Sequence, residues 1–190
     1  MNHIAIFASG TGSNAKKIIE HFQSNPTIKV SLLVSNKAAA PVLDTAKANG
    51  IDQHVIDRAS FYETEEILTV FKKYDIDFIV LAGFLWLIPS YLVQAFSGRM
   101  VNIHPALLPK YGGKGMYGAN VHRAVKAAGD SESGITIHYV NEKYDDGDVV
   151  FQAQCAIVPT DSAEDIAKKV LELEHRYFAT VIEKILVSQI

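Results

Sequence analysis

Ile4-Ala5-Ile6-Phe7-Ala8-Ser9-Gly10-Thr11-Gly12-Ser13-Asn14-Ala15 is the stretch that decides the fold. It opens with an unbroken apolar run, the pattern of a parallel strand buried on both faces. A Gly/Ser/Thr turn follows, after which Ala15, Ile18, Ile19 and Phe22 recur with helical spacing. Strand, glycine turn and helix in this order open a β-α-β unit.

The same rhythm continues along the chain. Val30-Ser31-Leu32-Leu33-Val34 reads as a second strand, and Val42, Ala46 and Ala48 as a helix closed by Gly50. Residues 51–56 form a weaker strand, and the spacing predicts one helix over 61–74. Phe78-Ile79-Val80-Leu81-Ala82 is the clearest strand. A short helix near 89–96 and a strand Met100-Val101-Asn102-Ile103-His104 complete this part. Residues 106–118, with Pro109 and four glycines, read as loop. A helix over about 120–128, strands over 134–141 and 149–157, and a long C-terminal helix then follow. Ser162, with Asp165 three residues on, approximates a capping box for that helix. The expected architecture is one α/β domain over 1–190, a Rossmann-like, mostly parallel sheet with helices on both faces. Residues about 1–100 would be its phosphate-binding half and about 101–190 its catalytic half.

Bulk properties narrow the function. At 190 residues, 48% hydrophobic and 21% charged, the chain has ordinary globular composition. A net charge of −3 without a run of five like charges gives no nucleic-acid footprint. A single cysteine, Cys155, excludes a disulfide framework and a Cys-rich zinc site and fits a reducing compartment. The N-terminus shows no basic leader, and the longest apolar run, 78–88, is interrupted by Gly83 and too short to span a bilayer. A soluble cytoplasmic protein, without nucleic-acid or membrane partners, is the expectation.

The glycine turn reads as G-x-G-x-x-A. Its glycines permit positive φ, and the helix N-terminus beyond offers free N–H donors that suit a phosphate. A dinucleotide site would further require an acid at the end of the second strand. Ser35-Asn36-Lys37 stands there, and no Asp or Glu lies between Glu20 and Asp44. NAD is disfavoured, Lys37 leaves NADP open, and a monophosphate or similar small anion suits the donors best. A glycine-eased turn without any ligand is the plain alternative.

Asn102 and His104 flank Ile103, so strand alternation points both to one side. They lie at the C-terminal end of a parallel strand, where open α/β sheets bind ligands. An amide donor beside an imidazole suits a reaction that develops charge on a carbonyl oxygen. The plainer alternative is a strand-end Asn beside a packed core histidine. Asp145, in the loop with Asp146 and Asp148, would orient that imidazole and raise its pKa. Asp146 and Asp148 read as solvated turn, and no EF-hand or other metal pattern accompanies them. His138 is either a partner that orients the pair or a packed histidine. His122 and His175 lie on predicted helices and carry little information by themselves. Trp86, Tyr139 and Tyr144 line a flat-ring pocket or belong to the core.

Taken together, the first glycine loop, Ser35-Asn36-Lys37, Leu81-Ala82-Gly83-Phe84, Asn102-Ile103-His104-Pro105-Ala106-Leu107-Leu108-Pro109, Gly134 to His138, Asp145 and Gly147 resemble the phosphoribosylglycinamide formyltransferases. The Asn-Ile-His-Pro segment with a downstream His and Asp marks folate formyltransferases as a group, and the glycine loop with Ser-Asn-Lys narrows the choice. The resemblance implies transfer of the formyl group of 10-formyltetrahydrofolate, as co-substrate and without a metal, to the amine of glycinamide ribonucleotide in purine synthesis. It implies that Asn102, His104 and Asp145 are catalytic. Asn102 and protonated His104 would stabilise the oxyanion of a tetrahedral intermediate, with His104 as proton donor. Asp145 would hold the imidazole pKa up. Thr11, Gly12, Ser13, Asn14 and Glu174 would hold the ribonucleotide. Leu85, Trp86, Leu87, Ile88, Asn141 and Tyr144, with Asn102, would hold the folate, and His138 would support the catalytic set.

Departures from the family pattern are Trp86-Leu87-Ile88 for a frequent Arg-Ile-Leu and Thr64 where an arginine often reaches the folate tail. The segment between Tyr111 and Val121 is also longer than usual. A tRNA formyltransferase is expected to carry a further C-terminal domain, and a formyltetrahydrofolate deformylase an N-terminal one. A deformylase-like hydrolase and a non-catalytic nucleotide-binding Rossmann-like module are the alternatives. The protein is expected to be a monomer or a homodimer.

Overall fold

In the computed structural model, which describes residues 1–188, every strand expected from the apolar runs is present. The chain runs β1 (Asn2–Phe7), α1 (Ser13–Phe22), β2 (Ile28–Ser35), α2 (Val42–Ala48), β3 (Asp52–Val55), α3 (Arg58–Glu63) and α4 (Glu66–Lys73). It continues through β4 (Ile76–Leu81), α5 (Ser90–Ala95), β5 (Met100–His104), α6 (Ala119–Ala128), β6 (Glu132–Tyr139), β7 (Val149–Ala156) and α7 (Ala163–Ser188). The strands form one seven-stranded sheet of order β3-β2-β1-β4-β5-β6-β7. Strands β1 to β5 pair in parallel, whereas β6 runs antiparallel to β5 and β7 antiparallel to β6.

Strand alternation divides the apolar side chains between two cores. Ile4, Ile6, Phe78, Val80, Val101 and Ile103 pack with α1, α2, α6 and α7 on one face. Ala5, Phe7, Ile79, Leu81 and Met100 pack with α3, α4 and α5 on the other. Burial on both faces explains why these strands read as continuous apolar runs rather than alternating ones.

The structure corrects the single helix expected over 61–74. Asp57 and Ser60 form a capping box that starts α3 earlier, at Arg58. Thr64 is extended (φ −132°, ψ 171°) and its hydroxyl donates to the Ser60 carbonyl at 2.7 Å. A Thr hydroxyl competing for backbone groups ends one helix and lets the next begin at Glu66. The capping box at Ser162 forms as expected: the Asp165 N–H donates to Ser162 Oγ, and the Ser162 N–H to Asp165 Oδ2, both at 3.1 Å.

From β1 the chain moves outward to β2 and β3, then crosses back to β4 on the other side of β1. The reversal opens a crevice beyond the C-terminal ends of β1 and β4, the place where such sheets bind ligands.

Candidate active site

Ser9 ties the two sides of the crevice together. Its N–H donates to the Gly83 carbonyl at 3.1 Å, and its Oγ accepts from the Leu85 N–H at 3.0 Å. The glycine loop after β1 and the turn after β4 are therefore joined into one wall. Between them and the loops after β5 and β6 lies a cavity of about 860 Å³. Both halves of the chain contribute to it: Leu85 to Ile88 face Asn141 and Tyr144, and Asn14 meets Glu174.

Asn102, His104 and Asp145 converge in this cavity. Antiparallel pairing sets Asn102 opposite His138 and His104 opposite Thr136, so all these side chains share one face of the sheet. His138 Nδ1 lies 2.8 Å from the Tyr139 carbonyl. A carbonyl only accepts, so Nδ1 carries the hydrogen and Nε2 presents its lone pair. That lone pair accepts from Asn102 Nδ2 at 3.1 Å, which fixes the amide with its N–H groups toward Asp145.

Asp145 Oδ1 is the hub of the cluster. It stands 3.4 Å from Asn102 Nδ2, 3.5 Å from His104 Nδ1 and 3.7 Å from His138 Nε2. These separations are long for hydrogen bonds, which leaves the Asn102 N–H that faces Asp145 uncommitted until a reacting group enters. Asp145 Oδ2 is held by the Gly113 N–H at 2.9 Å, and His104 Nε2 donates to the Tyr111 carbonyl at 2.8 Å. Both nitrogens of His104 thus face oxygen acceptors, a setting that suits the imidazolium during turnover.

Burial holds the resting His104 below the ordinary imidazole pKa, while Asp145 and the Tyr111 carbonyl pull it upward. Asp145 acts in the expected direction, but burial outweighs it. For Asp145 itself burial favours the neutral acid. His104 and the Gly113 N–H oppose that, and the carboxyl stays below the usual carboxylate range.

Backbone geometry brings Asp145 to the cluster. Asp145 adopts φ 52°, an uncommon value for a non-glycine residue. Gly147 then passes so close to the Tyr139 carbonyl that a Cβ would overlap it. Asp146 and Asp148 are exposed, as expected of turn residues. On the other side of the cluster Thr136, fully buried, organises the segment after β5. Its Oγ1 donates to the Ala106 carbonyl at 2.7 Å and accepts from the Leu108 N–H at 2.9 Å and Gln152 Nε2 at 2.8 Å.

The glycine-loop side holds a second polar pair. Asn14 Nδ2 donates to Glu174 Oε2 at 2.6 Å, and Asn14 Oδ1 is buried without a partner. Burial pushes the Glu174 carboxyl up, with Asn14 opposing. Of the loop residues expected to hold a ribonucleotide, Asn14 lines the cavity, as do Ser9, Gly10 and Lys37. Thr11, Gly12 and Ser13 do not line it: Thr11 is exposed, Gly12 buried and Ser13 half-buried. Gly12 is left-handed (φ 73°) and packs so tightly on Val42 that a Cβ would overlap its side chain.

At the opposite mouth, Leu85, Trp86, Leu87 and Ile88 line the cavity across from Asn141, Lys143 and Tyr144. Tyr62 steadies this turn by donating to the Leu87 carbonyl at 2.9 Å. The Arg58 guanidinium lies over both the Tyr62 and Trp86 rings, 5.5 and 5.4 Å from their centroids. Thr64 does not reach the cavity. The segment between Tyr111 and Val121 folds over the site and lines it with Gly113 to Ala119.

Sequence reasoning missed Thr136, Ser9, the Tyr111 carbonyl, the Gly113 N–H and Arg58. Thr136 carried a signal, since it alternates with His138 on one strand. The two backbone groups carried none.

Comparison with known proteins identifies the family. The formyl transferase family profile matches residues 2–182. A chloroplastic phosphoribosylglycinamide formyltransferase of Arabidopsis thaliana is 44% identical over 94% of this chain and 63% of its own length. The chain spans about three fifths of the length of the curated chloroplastic relatives it matches. The Haemophilus influenzae phosphoribosylglycinamide formyltransferase is 38% identical, covering 96% of this chain and 86% of its own. In structure, glycinamide ribonucleotide transformylase 1 of Geobacillus kaustophilus superposes with a TM-score of 0.88 at 34% identity, over 98% of this chain and 99% of that one. The chain belongs to the formyl transferase family, among the phosphoribosylglycinamide formyltransferases.

Proposed function

We propose that the protein transfers the formyl group of 10-formyltetrahydrofolate to the amine of glycinamide ribonucleotide, giving formylglycinamide ribonucleotide and tetrahydrofolate in purine synthesis. The observation that carries this reading is the meeting of Asn102, His104 and Asp145 in a cavity whose two ends differ in chemistry. One end offers Gly10, Lys37, Asn14 and Glu174, donors and acceptors suited to a phosphorylated ribose. The unpaired Asn14 Oδ1 is an acceptor awaiting a hydroxyl donor. The other end is apolar and aromatic and suits a flat pterin with its aryl tail. A cavity of about 860 Å³ lies within the range of small-molecule sites.

The folate, when bound, supplies the formyl carbon. Asn102 Nδ2 and protonated His104 Nδ1 donate to the formyl oxygen as negative charge develops there during attack by the amine. His104 passes its proton to the departing folate nitrogen and takes up the one that the attacking amine sheds, so the imidazolium that Asp145 stabilises is restored. His138 holds the Asn102 amide in the donating orientation. Asp145 opposes the burial that disfavours the imidazolium, and the bound substrates complete the exclusion of water.

Leu85 to Ile88, Asn141 and Tyr144 hold the folate, with Arg58 supplying a cation for its carboxylate tail in place of Thr64. Thr11, Gly12 and Ser13 act by shaping the α1 N-terminus toward the phosphate. A cytoplasmic setting and small-molecule partners belong to the same reading. Free, half-buried Cys155 agrees with a reducing compartment, and no described helix is long and apolar enough to cross a membrane.

Purified protein given both substrates is expected to form tetrahydrofolate only when glycinamide ribonucleotide is present. Tetrahydrofolate formed equally well without the amine would establish a hydrolase instead.

A further inference from the structure

The cavity holds one more imidazole, that of His122 in the first turns of α6. It is only 7% exposed, and its Nδ1 is sealed from solvent without a hydrogen-bond partner. A buried N–H without an acceptor is rarer and costlier than a buried lone pair without a donor. The hydrogen therefore sits on Nε2. Burial, and secondarily the nearness of His104, keep the ring below the ordinary imidazole pKa and uncharged. His122 thus presents an N–H that no described residue accepts. It is not a base, because its lone pair is sealed from solvent.

Position selects what that donor meets. Val121 and Val125 of α6 pack with Val170 of α7 in one core, and α7 brings Ala167, Val170, Leu171 and Glu174 to the cavity wall. With Asn14 and Glu174 at the ribose end and His104 at the reacting end, a ribonucleotide lies along this wall. Its amine must reach His104. The one acceptor next to that amine is the glycinamide carbonyl, a single methylene away.

We propose that His122 donates from Nε2 to the glycinamide carbonyl of the acceptor substrate and so turns the amine toward the formyl carbon. The assignment rests on the reading of the acceptor as glycinamide ribonucleotide. His122 is a positioning residue by this account: it orients the nucleophile without exchanging a proton with it.

Two variants test it. His122→Gln keeps a donor near the Nε2 position, whereas His122→Phe keeps a flat ring and removes the donor. Steady-state kinetics should show KM for glycinamide ribonucleotide raised about tenfold in the Phe variant, the scale of one lost neutral hydrogen bond. The Gln variant should stay within about threefold of the parent. KM for 10-formyltetrahydrofolate should be unchanged in both, and the Phe variant should melt no lower than the parent because it buries no unpaired nitrogen. Equal KM for the ribonucleotide in parent and Phe variant would overturn the proposal. So would loss of affinity for both substrates together, the sign of a merely structural role. Failure of the parent to turn over glycinamide ribonucleotide would instead sink the functional reading.

Discussion

Asp145 Oδ1 lies 3.5 Å from Nδ1 of His104, although His104 ends β5 and Asp145 belongs to the loop between β6 and β7. The contact joins a carboxylate held below its usual pKa to an imidazole held below its own by burial. Removing the carboxylate leaves only the Tyr111 carbonyl to oppose burial. Asp145→Asn should therefore lower kcat by at least ~100-fold, the scale of acid–base and oxyanion residues. The residual activity should lose its alkaline limb at a lower pH than the parent's, since His104 gives up its proton earlier. A pH profile of kcat checks both effects.

Glu174 has the opposite sign. Its carboxyl is pushed up by burial, so it contributes stability below its unfolded pKa and loses it as pH rises through the folded value. Glu174→Gln should relieve that cost, raising the melting temperature relative to the parent more at pH 8 than at pH 5. The same variant should weaken ribonucleotide binding, because Asn14 then positions an amide rather than an acid. Calorimetry and thermal melts across pH read the two outcomes separately.

Gly12 is a structural residue first. Gly12→Ala combines a left-handed backbone with overlap on Val42 and should destabilise the protein by about 1–3 kcal/mol. Ribonucleotide affinity should fall with it, since α1 is displaced. Denaturant melts set beside binding titrations test whether the losses occur together.

Trp86 is the sole tryptophan and sits at the mouth beneath Arg58, so its fluorescence reports on that end of the cavity. Folate binding should change it, whereas ribonucleotide alone should not. Arg58→Ala should raise KM for 10-formyltetrahydrofolate several-fold with kcat intact, and the difference should shrink at high salt. A salt-independent effect would argue for lost stacking rather than lost charge.

Thr136→Val keeps shape and removes the hydroxyl that serves Ala106, Leu108 and Gln152. Leaving the Ala106 carbonyl and the Leu108 N–H unpaired should cost about 1–3 kcal/mol. kcat should fall as well, because the segment after β5 also carries Tyr111, the partner of His104. Melting and kinetics together would reveal either effect without the other.

Much of this was legible from sequence. The unbroken apolar runs fixed a sheet buried on both faces, and alternation alone put Asn102 and His104 on one side of β5. Asp145 was harder, since its arrival depends on the β5–β6 register and on the close approach at Gly147, both long-range. The break between α3 and α4 was missed because the apolar spacing of Ile67, Val70 and Phe71 continues the periodicity past Thr64. Its hydroxyl ends the helix through a backbone contact that periodicity does not record. The Tyr111 carbonyl and the Gly113 N–H were illegible in principle, because backbone groups have no residue signature.

The central claim is that His104 carries the chemistry rather than the binding. Turnover of His104→Ala with 10-formyltetrahydrofolate and glycinamide ribonucleotide, measured beside calorimetric affinities for each, tests it most directly. kcat should be lower by at least ~100-fold, with both affinities within a few-fold of the parent. Near-parental turnover, or a loss confined to binding, would contradict it.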